Sequence, residues 1–126
     1  MWISRLIAAC ATLACLVAID ASAHHAFSAN YDLDNVGTVE GLIEEVYWAN
    51  PHVHYYLRVT SADGTDELWD VETMNLSTMT RRGWTKSTLS VGDEVKISGA
   101  QGRGGARRIW MDQVERADGK PLPDGS

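Results

Sequence analysis

Cysteine is absent after residue 15: the chain has only two, Cys10 and Cys15, and both lie in its apolar leader. The chain beyond the leader must fold without a disulfide staple. Basic residues are also scarce, with 11 Lys and Arg against 17 Asp and Glu and a net charge of -6. Affinity for nucleic acid rests on neutralising phosphates, so the expectation from charge is that nucleic acid is not a partner. Missing too is an apolar run of membrane-spanning length. Leu6–Ile19 is about 14 residues, short of the roughly 20 that cross a bilayer, so stable membrane insertion is not expected. No Gly-x-Ser-x-Gly elbow surrounds any serine, and no helix succeeds the glycines of residues 102–105 to make a phosphate cradle. The chain is expected not to be an enzyme.

The leader itself has the form of an export signal. Arg5 supplies the positive start, the apolar run comes next, and Ala21-Ser22-Ala23 is the small-x-small pattern that signal peptidase reads. Cleavage is expected between Ala23 and His24, giving a periplasmic or secreted protein of 103 of the 126 residues, enough for one small domain. A lipid anchor at Cys10 or Cys15 is the weaker alternative, because it would leave a very short apolar segment ahead of the cysteine. Residues 24–37 have little periodicity and read as an extended arm, residues 38–116 as a β-barrel domain, and residues 117–126 as a flexible tail.

Within the domain the period is mostly two. "TVEGLIEEVYW", residues 38–48, reads as a long bent strand with a bulge at Glu44-Glu45. Asn50-Pro51 turns the chain. From His52 to Thr60 the alternation puts His52, His54, Tyr56 and Arg58 on one face and Val53, Tyr55, Leu57 and Val59 on the other. Asp63-Gly64 marks a hairpin, and Glu67 to Thr73 returns as a third strand with Trp69 and Val71 inward. Asn75 is placed to cap a short helix carrying Leu76 and Met79, Gly83 to end it, and Trp84 to fold back on its last turn. Glu94 to Ala100 and Arg107 to Arg116 complete five strands. Three strands, a short helix and two strands predict an all-β class with one helix: a small five-stranded OB-like Greek-key barrel, the helix lying between strands three and four. Trp48, Trp69, Trp84 and Trp110 are expected to help fill it.

The segments "AHHAF", "EEVYWANPHVHYYL" and "RRGWTKSTLSVGDEV" together resemble a family of exported bacterial proteins grouped as domain of unknown function 6152. The resemblance covers nearly all of the chain after the leader, in the same order. It implies a periplasmic protein with a small OB-like β-barrel, and it brings no activity with it.

Two constellations carry chemistry. All four histidines fall in pairs, His24-His25 at the expected new amino terminus and His52-x-His54 on one strand face. Imidazole suits copper, zinc and nickel, an amino-terminal histidine adds an amine nitrogen, and an all-nitrogen site prefers Cu(II) with Zn(II) as competitor. Glu72 is a further candidate ligand, as are Met74 or Met79 if the metal is Cu(I). The bland alternative is that these histidines are polar surface. The second constellation is the loop "QGRGGARR", where Arg103, Arg107 and Arg108 stand among glycines. With Trp48 and Asn50 of the loop between strands one and two it flanks the usual binding face of such barrels, suited to a carboxylate, a phosphate or an envelope protein. Its bland alternative is a charged hairpin loop. The favoured expectation is a non-enzymatic periplasmic binding protein for copper, through His24, His25, His52 and His54. The alternative is a metal-free module that docks an unidentified envelope protein or small anionic ligand.

Overall fold

The computed structural model describes residues 26–123. The chain divides into two units, Met1–Asn30 and Tyr31–Ser126. The described part of the first is a short helix, α1, over residues 26–30. The second is the barrel. Its strands are β1 (Tyr31–Tyr47), β2 (His54–Thr60), β3 (Asp66–Glu72), β4 (Glu94–Gly102), β5 (Arg108–Trp110) and β6 (Gln113–Arg116), with helix α2 (Leu76–Arg81) between β3 and β4. The pairing runs β1-β2-β3-β5-β4 and returns from β4 to β1, so the sheet closes on itself. All pairs are antiparallel except β3 with β5. This is the five-stranded OB-type barrel, with β5 and β6 together forming its last strand.

Alternation builds the core. Val53, Tyr55 and Leu57 are fully buried, and they meet Ile43, Val71, Val95, Ile97, Ile109 and Val114 from the other strands. The helix closes one end with Met79. Its start is capped by Asn75, whose side chain accepts from the Thr78 N–H at 2.9 Å. Its end is a left-handed Gly83 (φ 88°), with the Gly83 N–H bonded to Thr80 O and the Trp84 N–H bonded back to Met79 O, both at 3.0 Å. Trp84 is thereby driven into the core, as its position in the sequence predicts.

Three departures from the sequence reading have physical causes. In the expected arm over residues 24–37, residues 31–37 already belong to β1, which begins at Tyr31 and pairs there with Gly102 of β4, because a barrel can close only if its first strand is long enough to serve two neighbours. The register slips between Asp32 and Val36 and again between Ile43 and Glu45, the second at the expected bulge, and these slips bend the strand around the barrel. The predicted last strand, residues 107–116, is broken at Met111-Asp112. There the chain changes partners, the Met111 N–H going to Glu72 O of β3 and the Asp112 N–H to Ser98 O of β4. The expected flexible tail is anchored in its described part, where Leu122 packs against the core.

The break depends on Gly99. A Cβ there would sit 1.8 Å from the backbone oxygen of Trp110, which cannot give way. At Gly37 the obstacle is only the end of the Gln101 side chain, at 1.9 Å, which can swing aside. Gly99→Ala is therefore expected to destabilise the barrel by about 3 kcal/mol and Gly37→Ala by less than about 1 kcal/mol, read as urea midpoints of the two variants. Tyr55 is fully buried and its hydroxyl has no hydrogen-bond partner among the described residues. Tyr55→Phe should leave stability unchanged or raise it by about 1 kcal/mol in the same assay.

Candidate functional site on the outer face of the barrel

Outside the barrel, β2 and β3 present the other half of the alternation. The Asp-Gly hairpin pairs Thr60 with Asp66, and that register puts His54 opposite Glu72 and Tyr56 opposite Asp70. Two histidines spaced by two residues thus face two carboxylates spaced by two residues. Nδ1 of His54 lies 2.6 Å from Asp70 Oδ1, and Nδ1 of His52 is bonded to Glu72 Oε1. His52 itself precedes β2, in the turn after the cis Asn50-Pro51 peptide.

Each carboxylate has a second partner. The Tyr31 hydroxyl donates to Glu72 Oε2 at 2.5 Å, and Arg108 Nη2 stands 3.6 Å from Asp70 Oδ2. The Arg108 guanidinium also lies 6.0 Å from the Tyr31 ring centroid. Aromatic rings frame the pair: Trp110 edge-on to His52 at 5.8 Å and to Tyr31 at 6.1 Å, Tyr47 edge-on to His54 at 6.1 Å, and Tyr56 stacked with His54 at 6.2 Å. Trp110 therefore sits on the outer face of β5 rather than in the barrel core, while its neighbour Ile109 is the residue that points in.

An imidazole whose Nδ1 faces a carboxylate carries its proton there, because the carboxylate only accepts. The Nε2 of each neutral ring is then an unprotonated ligand atom. Metal-ligating histidines are held in this way, through a carboxylate on the other nitrogen. No group of three or more His, Cys, Asp or Glu positioned to hold a metal ion occurs among the described residues. His24 and His25 lie outside the described residues.

The other candidate residues stand apart from this pair. Arg103, Arg107 and Arg108 turn to three separate carboxylates, Asp32 at 3.8 Å, Glu67 at 2.8 Å and Asp70 at 3.6 Å, rather than toward one another. Asn50 braces the helix, its Oδ1 accepting from the Leu76 N–H at 3.1 Å, and Trp48 packs against the core. Met74 is partly buried against the core and Met79 lies within it. Tyr31 and Trp110 were not legible as site residues, since only barrel closure brings them to Glu72 and His52. The roles of Asp70 and Glu72 were within reach: an acid pair and a histidine pair at the same spacing flank one Asp-Gly turn.

The hydrogen bond that His54 donates to Asp70 raises the His54 pKa above its ordinary 6.5, with partial burial and Arg108 opposing and Glu72 adding to the rise. A raised folded-state pKa gives stability that is fully present below about pH 6.5 and is lost as pH climbs through the folded value. Asp70→Asn should thus lower the His54 titration midpoint seen by NMR. Its destabilisation in urea should be larger at pH 5.5 than at pH 8.5.

Comparison with solved structures finds the same kind of barrel at low identity. The mitochondrial single-stranded DNA binding protein Rim1 from S. cerevisiae is 10% identical over 66% of this chain and 93% of its own, with TM-score 0.49. The N-terminal domain of PriB from Thermoanaerobacter tencongensis is 19% identical over 67% and 97%, TM-score 0.49. The small single-stranded DNA-binding protein from Streptomyces coelicolor is 15% identical over 70% and 96%, TM-score 0.47. The expectation that nucleic acid is excluded as a partner is corrected by these neighbours, two of which bind single-stranded DNA by their own descriptions. Net charge is a sum over the whole chain, whereas recognition acts on one face within a screening length of about 8–10 Å, so the sum does not exclude that class. No curated protein matches the sequence. The family model of the Family of unknown function (DUF6152) matches residues 11–110, most of the chain, and the protein belongs to that family.

Proposed function

We propose that this is an exported, non-enzymatic binding protein whose ligand is a transition metal ion, Cu(II) ahead of Zn(II), taken by the Nε2 atoms of His52 and His54. One observation carries the reading: both imidazoles are held at Nδ1 by a carboxylate of the neighbouring strand, Glu72 for His52 and Asp70 for His54. Carboxylates in that position set the tautomer, fix the ring and make Nε2 a better donor. Neutral imidazole nitrogens favour copper on the Irving-Williams order, with zinc next to it. The rings of Tyr47, Tyr56 and Trp110 border the two imidazoles.

The pairing of Arg103, Arg107 and Arg108 with acidic side chains speaks against a second reading in which the same end of the barrel holds an anion. A bidentate anion site needs guanidiniums that converge, and these diverge.

Calorimetric titration of Cu(II) and Zn(II) into the purified protein tests the reading. His52→Ala/His54→Ala is expected to remove one equivalent of bound metal, and Asp70→Asn to weaken that equivalent about 10–100-fold. Unchanged stoichiometry and affinity in the double variant would sink the proposal. An amino-terminal chelate at His24 would register as a separate equivalent that survives in the double variant.

A further inference from the structure

The carboxylate of Glu72 is shared between two donors, one from the start of β1 and one from the turn that leads into β2. Oε1 takes His52 Nδ1, and Oε2 takes the hydroxyl of Tyr31. Tyr31 is nearly completely buried, its ring set against Trp110 and below Arg108, so its hydroxyl direction is fixed by packing. Its backbone is fixed as well, by pairing with Gly102, where a Cβ would meet Arg108 Cγ at 2.4 Å and Ala106 O at 2.8 Å. A free glutamate at the end of a strand could turn either oxygen to the imidazole or neither. Tied at Oε2, it presents Oε1.

We propose that Tyr31 is a positioning residue: by holding Oε2 it keeps the Glu72 carboxylate turned to His52 Nδ1, and so keeps His52 in the tautomer that offers Nε2 to a ligand. The inference deepens the metal-binding reading and rests on it for its functional meaning, although the tautomer is set in the metal-free protein. His54 is the internal control, because its carboxylate, Asp70, is held by Arg108 and not by Tyr31.

The consequence is directional. In Glu72→Gln the amide keeps one oxygen and gains one NH2 group. The Tyr31 O–H claims the oxygen, the NH2 faces His52 Nδ1, and the ring must carry its proton on Nε2, which removes the ligand atom. In Tyr31→Phe/Glu72→Gln nothing holds the oxygen, and the amide can turn it to Nδ1, restoring the original tautomer. Tyr31→Phe alone keeps the ring in place against Trp110 and leaves an unanchored carboxylate.

Long-range 1H–15N NMR of the histidine side chains in the metal-free protein, at a pH where both rings are neutral, reads the tautomers directly. The expected pattern is Nδ1–H for His52 in the wild type, Nε2–H in Glu72→Gln, and Nδ1–H again in the double variant, with His54 unchanged throughout. Retention of Nδ1–H in Glu72→Gln would overturn the proposal, and so would a double variant that matches Glu72→Gln. Zinc titration of the same proteins should show affinity lost in Glu72→Gln and at least partly regained in the double variant. If the wild type takes up no metal while the NMR pattern holds, the metal reading fails and the role of Tyr31 stands; the reverse result separates them the other way.

Discussion

The antiparallel pairing of β1 with β4, from Tyr31↔Gly102 to Leu42↔Glu94, is the contact on which the rest depends. It converts a sheet with two open edges into a closed barrel, and closure removes the unpaired backbone groups that an edge would expose. It also does something local. The far end of β1 is carried round the barrel until Tyr31 lies beside β3 and β5, where its hydroxyl reaches Glu72 and its ring meets Trp110. A strand of ordinary length, paired on one side only, could not reach both β2 and that point. The two register slips in β1 are the means by which one strand of 17 residues makes the turn.

The outer face of β2 and β3 is then set by a hairpin of fixed register. Ser61, Asp63 and Thr65 lock the turn through side-chain and backbone bonds, and Gly64 supplies the positive φ of 84° that the turn requires. A slip of one residue would send His54 and Asp70 inward and Tyr55 and Val71 outward. The buried row Val53, Tyr55 and Leu57 forbids that, so hydrophobic burial on one face specifies the electrostatic pairing on the other. The half-buried histidine-carboxylate pairs are thus not needed to choose the register. They are placed by it.

Much of this arrangement is legible in the sequence because its causes are local. The period-two run from His52 to Thr60, the Asp-Gly turn, the Asn75 cap and the Gly83-Trp84 stop each announce themselves within a few residues, and the bulge shows as two adjacent glutamates. The Tyr31 contact is not legible. It joins residues 41 positions apart through a strand that begins inside what reads as an aperiodic arm, and the apolar signal of that arm is weakened because Leu33 and Val36 are exposed in the first register slip. Trp110 misleads for a similar reason: in a strand of three residues, β5, alternation is too short to say which side faces in. The arginine loop is the opposite case. Its composition suggests a converging anion site, but a composition does not show that every guanidinium already faces a carboxylate.

A β-strand presents two ligands at spacing two with almost no choice of geometry, since both side chains leave the sheet in the same direction. What remains free is the rotation of each imidazole and the nitrogen that carries its proton. In this barrel those freedoms are removed by neighbours on other strands: β3 supplies the carboxylates, β1 and β5 supply the phenol and guanidinium that orient them. The two histidines end up with different supports, one neutral and one cationic. The Tyr31 phenol holds Glu72 by a hydrogen bond, while the Arg108 guanidinium stands beside Asp70 and opposes the rise in the His54 pKa. Two identical side chains are thus held by carboxylates that are themselves fixed in different ways, and the difference is set by the strands on either side.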